Sequence, residues 1–225
     1  MKIGTTRVET FSDGVIAIII TIMVLELKLP DINKEDTSWE LRHHLQLLLP
    51  YFLPYAFSFL MIGIFWSNHH HMFHMLEKTD EPLLFQNLFF LFWLSFIPLA
   101  TGMISANALL ADSVAMYGFI MLMSTVAFTI MRAYTIKKGL VHRDEDEGIT
   151  KSINKASFKT RTKSYLGSLV YLISIPAAFW NVYVAYVCLL IPPVIFFIPD
   201  GIDDEELAQK IDDKNTNTGM LPPKS

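Results

Sequence analysis

A chain of 225 residues in which 52% are hydrophobic and only 18% charged falls below the roughly 25% charge of soluble domains. Its 17 Phe, 11 Met, 8 Tyr and 4 Trp are more apolar bulk than one core of this size hides, which argues against a soluble metabolic enzyme. The formal net charge of −4 excludes a protein that works by neutralising many phosphates, and the single cysteine, Cys188, excludes an intramolecular disulfide framework or a multi-thiolate metal site.

The charges are segregated into four places: 26–42, 77–81, 132–163 and 200–214. A helix needs about 20 mostly apolar residues to cross a bilayer. Six such spans are predicted, at about 11–29, 47–72, 83–104, 113–136, 164–180 and 182–199. The fold class is therefore an all-α polytopic membrane protein. Residues 1–199 form its transmembrane domain, and 200–225 form an acidic, then polar, tail. No internal repeat or low-complexity stretch stands out.

The first span has a basic start, Lys2 and Arg7, as a cleaved signal peptide would. Its apolar run ends instead in Glu26, Lys28, Pro30 and Asp31 without a small-residue cleavage site, so a retained helix is expected. At roughly 100° per residue, Arg7, Gly14, Ile18, Thr21 and Leu25 project within one narrow arc, with Phe11 and Ile22 at its edge. Thr21 can bond its own i−4 carbonyl while the stripe packs on a neighbour. Ser12 and Asp13 point well away from that arc. An ionisable residue at membrane depth needs a partner, although Asp13 also lies in the first turn, where a helix N-terminus favours a carboxylate.

The second span ends in FWSNHHHMFHM. His70 and His74, four apart, share a helical face and suggest a transition-metal site, but no carboxylate or thiol at ligand spacing completes it. No metal is expected. Trp66 and His69 instead offer donors to neighbouring helices near the cytoplasmic interface. Asn87 starts the third span at the same depth, as do Ser12 and Asp13. Depth alone predicts a buried Ser–Asp–His–Asn network tying helix one to helices two and three.

The last two spans are short and joined by a tight turn near Trp180 and Asn181, which leaves a re-entrant hairpin open. Prolines 50, 54, 98, 176, 192 and 193 lie inside or at the ends of the spans, where neighbouring helices satisfy the freed backbone groups. With the N-terminus inside, Lys2, Arg7, Lys78, nine residues from Arg132 to Lys163 and three in the tail are cytoplasmic. Only Lys28, Lys34 and Arg42 are then outside, so both termini are predicted to be cytoplasmic.

These residues resemble a known family. R-x-x-x-F-S-D-G at 7–14, A-I-x-x-T at 17–21, W-x-x-H-x-x-x-F at 66–73, T-D at 79–80, Asn87 and Pro98 look like the bacterial relatives of the lysosomal potassium channel called transmembrane protein 175. The specific motifs cover the first three spans; the remainder agrees in hydropathy and length. The resemblance implies a homotetramer of six-helix subunits in the bacterial plasma membrane, with helix one lining a central pore. That pore would pass K⁺ in preference to Na⁺, with no cofactor. By the same resemblance, Ile18, Ile22 and Leu25 narrow the pore and Thr21 forms a polar layer. Arg7, Phe11, Ser12, Asp13, Trp66, His69 and Asn87 would form a structural network around the pore helix.

Two other classes compete. A secondary transporter or metal-ion transporter would use the His69–His74 cluster, but it calls for inverted repeats or paired midplane charges. Spans three to six carry no Asp, Glu, Lys or Arg at mid-depth. A membrane enzyme would have only His69 with Ser12 and Asp13, a set expected in helix contacts rather than a cleft. The protein is not expected to be an enzyme.

Overall fold

The computed structural model describes residues 4–27, 38–141 and 147–197, with side chains over 4–27, 51–141 and 162–196. Helix α1 covers Thr5–Ile22 and tightens into a 3-10 turn at Met23–Glu26. Its buried residues, Val8, Ser12, Ile16, Ile19 and Met23, recur every three or four positions and form one continuous face.

Helix α2 runs over Ser38–His74. Its 37 residues reach about 55 Å, well beyond the hydrocarbon thickness. It starts at Ser38 rather than at 47, so part of the predicted outer segment is helical. T-S-W-E at 37–40 matches the capping-box pattern, a start signal that hydropathy alone passes over. Lys28, Lys34, Asp31, Glu35 and Asp36 lie outside the described residues, as does the tail from 200.

The third span is broken, which corrects the single helix predicted over 83–104. Helix α3 covers Glu81–Leu94 and α4 covers Ile97–Ala106. Pro98 explains the break, because it has no N–H for the Leu94 carbonyl and its ring clashes there. The joint closes on short bonds: Ser95 N donates to Leu91 O at 3.0 Å and Phe96 N to Trp93 O at 3.2 Å.

Helix α5, Ala111–Lys138, ends at Gly139, whose φ of 66° is the left-handed cap that a glycine adopts without strain. Beyond it Leu140 O accepts from Glu77 N at 2.9 Å, and Leu76 pairs with Val141. These contacts tie the end of α2 to the end of α5. Helix α6, Glu147–Trp180, is 34 residues long, about 51 Å, so its length exceeds the hydrocarbon thickness of a bilayer. Asn181 turns the chain: its N–H donates to Ala177 O at 2.8 Å, and its Oδ1 accepts from Tyr183 N at 2.9 Å. Helix α7, Val182–Phe197, then returns along α6 until the Phe196 ring lies over Gly167.

Three described segments are long and apolar enough to cross a membrane: Thr5–Glu26, Glu81–Ala106 and Ala111–Lys138, with Val182–Phe196 a shorter apolar helix. With α2 and α6 long enough to join them, the chain is a helical multi-pass membrane protein. Helix α5 is central and packs on α3, α4, α6 and α7. One buried polar chain holds α2, α4 and α5 together. The Tyr117 and Ser58 hydroxyls are 2.8 Å apart, Ser58 and Thr101 are 2.7 Å apart, and Thr101 donates to Ile97 O at 2.8 Å.

Tyr117→Phe removes the outer hydroxyl of this chain but leaves Ser58 paired with Thr101. A membrane-protein hydrogen bond averages about 0.6 kcal/mol, so a loss of about 0.6–1.7 kcal/mol is expected. Denaturant titration of the purified protein, followed by helical circular dichroism, measures it.

Candidate functional site

Helix α1 carries two opposed faces, and its polar residues divide between them. Ser12 is fully buried; its hydroxyl donates to Val8 O at 2.8 Å and accepts from Asn87 Nδ2 at 2.8 Å. Asn87, also buried, uses its other end on His69 Nε2, 2.9 Å from Oδ1. Because Asn87 Nδ2 donates to Ser12, Oδ1 must accept, and this assigns the His69 proton to Nε2. The His69 ring is stacked between Phe73 and Phe90, with centroids at 4.3 and 5.8 Å. Its Nδ1 is buried with no hydrogen-bond partner among the described residues.

Asp13 lies outside this triad. Its Oδ1 accepts from Trp66 Nε1 at 2.9 Å on the half-buried flank between α1 and α2. The single Ser–Asp–His–Asn network expected from depth is therefore two separate links, Ser12–Asn87–His69 and Asp13–Trp66. The reason is rotational: consecutive residues differ by about 100°, so Ser12 enters the three-helix core while Asp13 meets only α2. Arg7 and Phe11 also stand apart. Both are exposed, and they line a shallow depression with Thr6 and Thr10. The Arg7 backbone N–H donates to Gly4 O at 3.0 Å, but its guanidinium has no hydrogen bond or ion pair among the described residues, so neither residue joins the network there.

On the opposite face Phe11, Ile18, Thr21, Ile22 and Leu25 are all exposed. Ile18 and Leu25 are 59% and 74% uncovered, so the described residues leave this stripe largely open. The exposed Thr21 hydroxyl donates to the i−3 carbonyl of Ile18 at 2.9 Å, not to the i−4 carbonyl, which leaves its oxygen free to accept.

Three features escaped sequence reasoning. Asp80, in the T-D pair, caps α3 by accepting from Leu83 N at 3.0 Å, and its other oxygen accepts from the Tyr134 hydroxyl at 2.6 Å. An Asp directly before Glu81-Pro82 is an N-cap signal that the sequence does carry. At the far end of α1, the Glu26 carboxylate lies directly over Gly102 of α4, where any Cβ would collide with it. No local pattern announces that contact. Finally, His70 Nδ1 is 3.1 Å from Glu9 Oε1, and Asp13 stands beside them, so carboxylates do accompany the histidine run after all.

The fold is that of a helical multi-pass membrane protein, and these polar contacts gather where its first helix meets the second and third. A family model described as the endosomal/lysosomal potassium channel TMEM175 matches residues 7–98, from the first turn of α1 to the start of α4. A potassium channel of Chryseobacterium sp. (strain P1-3) is 41% identical over 203 residues, 90% of this chain and 97% of that one. The endosomal/lysosomal proton channel TMEM175 of Homo sapiens is 36% identical over 107 residues, 45% of this chain and 21% of the human one. Among solved structures, the lysosomal potassium-selective channel TMEM175 homologue from Chamaesiphon minutus superposes with a TM-score of 0.70 at 25% identity, covering 88% of this chain and 98% of that one. The chain belongs to the TMEM175 family, whose members compared here are ion channels and not enzymes.

Asn87→Leu leaves the buried His69 Nε2–H without its acceptor, whereas Ser12 still donates to Val8 O. A buried group left without its partner costs about 1–3 kcal/mol, and a loss of that size is expected, read as a lowered thermal midpoint of the purified protein. Asp13→Asn keeps an oxygen for Trp66 and should be much milder, whereas Asp13→Leu should not.

Proposed function

We propose that the protein is a potassium-selective cation channel of the bacterial plasma membrane, a homotetramer in which α1 from each subunit lines a central pore. The observation that carries this reading is the uncovered stripe of α1. A helix pinned on one side by Ser12 and Asp13 presents Ile18, Thr21, Ile22 and Leu25 on the other. The stripe carries the Thr21 hydroxyl, bonded back to Ile18 O, and the exposed Arg7 at its inner end. A water-filled axis accommodates both. The potassium channels among its relatives support the same reading. The Lys/Arg distribution puts both termini in the cytoplasm.

The mechanism follows from the side chains. Four Ile18 residues around the axis form a ring without oxygen ligands, which closes by dewetting and opens by a small outward movement or rotation of α1. Thr21 is one turn further out, and four of its hydroxyl oxygens can contact a partly hydrated ion. K⁺ sheds water more easily than Na⁺, so a narrow, weakly coordinating pore favours K⁺ without a carbonyl cage. Ile22 and Leu25 continue the apolar wall.

The test is ion flux into liposomes holding purified protein, with reversal potentials from planar bilayers under K⁺/Na⁺ gradients. Passive K⁺ flux uncoupled from protons or metals is expected; obligatory coupling would instead support a carrier. Ile18→Asn makes the ring wettable and should raise conductance and Na⁺ entry. Thr21→Val should lower selectivity or current while assembly survives. Unchanged currents and potentials in Ile18→Asn, with both altered in Leu25→Asn, would place the constriction about two turns further out.

A further inference from the structure

The flank between α1 and α2 carries a donor set that the conduction path does not use. Glu9 and Asp13 are one turn apart on α1, and His70 of α2 faces them. One ligand atom from each lies within 4.8 Å of the others, with His70 Nδ1 and Glu9 Oε1 already at 3.1 Å. We propose that Glu9, Asp13 and His70 form a binding site for a divalent transition-metal ion of the zinc type, which staples the first helix to the second.

The geometry is close to what such an ion needs. Zinc binds imidazole nitrogen and carboxylate oxygen at about 2.0–2.2 Å, so tetrahedral ligands stand about 3.4 Å apart. The Glu9–His70 separation nearly matches this. Asp13 closes the remainder by a small side-chain movement, and water completes the coordination. Its Oδ1 is held by the Trp66 indole N–H, which leaves Oδ2 available and supplies the outer hydrogen bond that steadies a ligating carboxylate. The His70 ring is oriented by stacking on Trp66, with centroids 5.8 Å apart, and His74 lies further off at 6.3 Å.

The donor types select the ion. An imidazole beside two carboxylates suits zinc and its neighbours, while Mg²⁺ and Ca²⁺ prefer all-oxygen shells. Two carboxylates facing one histidine also leave negative charge for a dication to neutralise. The His70 side chain is 47% exposed and that of Glu9 21%, so an ion can reach the site from the aqueous side. His71 and His74 do not belong to this group, although they sit in the same run.

The experiment is Zn²⁺ titration into purified, chelator-treated protein in detergent, by calorimetry and by the shift in thermal midpoint. One ion per subunit is expected, with a midpoint that rises because only the folded protein holds α1 and α2 together. Glu9→Gln and His70→Gln should each weaken binding at least about tenfold and abolish the shift, while His74→Gln keeps both. Both variants also lose the Glu9–His70 contact, so each shift is read against that variant's own metal-free midpoint. Co²⁺ loading of the unsubstituted protein gives a second measure, since its visible bands report mixed nitrogen–oxygen ligation. Absence of saturable binding, retention of it in both Glu9→Gln and His70→Gln, or its loss in His74→Gln would overturn the assignment. None of these readouts requires ion conduction, so the channel reading stands or falls separately.

Discussion

Asn87 gives to one helix and accepts from another, and the setting of the first helix depends on it. Its amide nitrogen reaches Ser12 on α1 and its oxygen meets His69 on α2, all three being buried. In a low-dielectric interior each lost partner is felt fully, so this link tolerates little rotation of α1. Advancing α1 by one residue would turn Ser12 out and put Asp13 against Asn87, whose nitrogen could follow but whose second partner would be strained. Trp66 would at the same time lose its acceptor. Two adjacent polar residues, held by two different helices, therefore lock the azimuth of α1.

That lock decides what the rest of the helix presents. With Ser12 inward, Ile16, Ile19 and Met23 follow it into the core, and Ile18, Thr21, Ile22 and Leu25 turn away. The outer end is held differently. Helix α3 packs along α1 itself, whereas α4, beyond the break at Pro98, meets the 3-10 turn. There the Glu26 carboxylate rests on Gly102, a seat that exists only because no Cβ occupies it. The proline break thus divides one span into a piece that serves the inner half of α1 and a piece that serves its end. In the proposed tetramer, the stripe between the two anchors is backed by packing and free in front.

Much of this was legible in the sequence, and the part that was not has a common cause. Helical periodicity alone separates Ser12 and Asp13 from the stripe, and depth alone puts Trp66, His69 and Asn87 at their level. What periodicity leaves undetermined is the rotation of one helix against another. For that reason the partners of Ser12 and Asp13 were merged into one network, and Glu9 beside His70 went unseen. Arg7 and Phe11, assigned to the network by resemblance, sit on the open stripe. The break at Pro98 and the cap at Asp80 had local signals in proline and N-cap chemistry, which a hydropathy window averages away. The Glu26–Gly102 contact had none, because it joins positions 76 residues apart that share no pattern.

The base of the bundle shows why the lock can work at all. Asp80 caps α3 with one oxygen and accepts from Tyr134 of α5 with the other, so the rotation of α3 is set at its first turn. Asn87 follows seven residues later, which on a helix of 3.6 residues per turn returns within about 20° of the same direction. Leu83, Phe90, Leu91 and Leu94 line the same inward face. The bridge from Leu76 to Val141 and the bond from Glu77 to Leu140 hold the end of α2, and with it His69, against that end of α5. Helix α5 is thus the common reference from which α2 and α3 take their orientation. Only when both are set do His69 and Asn87 meet at hydrogen-bond distance with a place left for Ser12. Helix α5 itself packs on α3, α4, α6 and α7, so it sets the orientation of the first helix through α2 and α3.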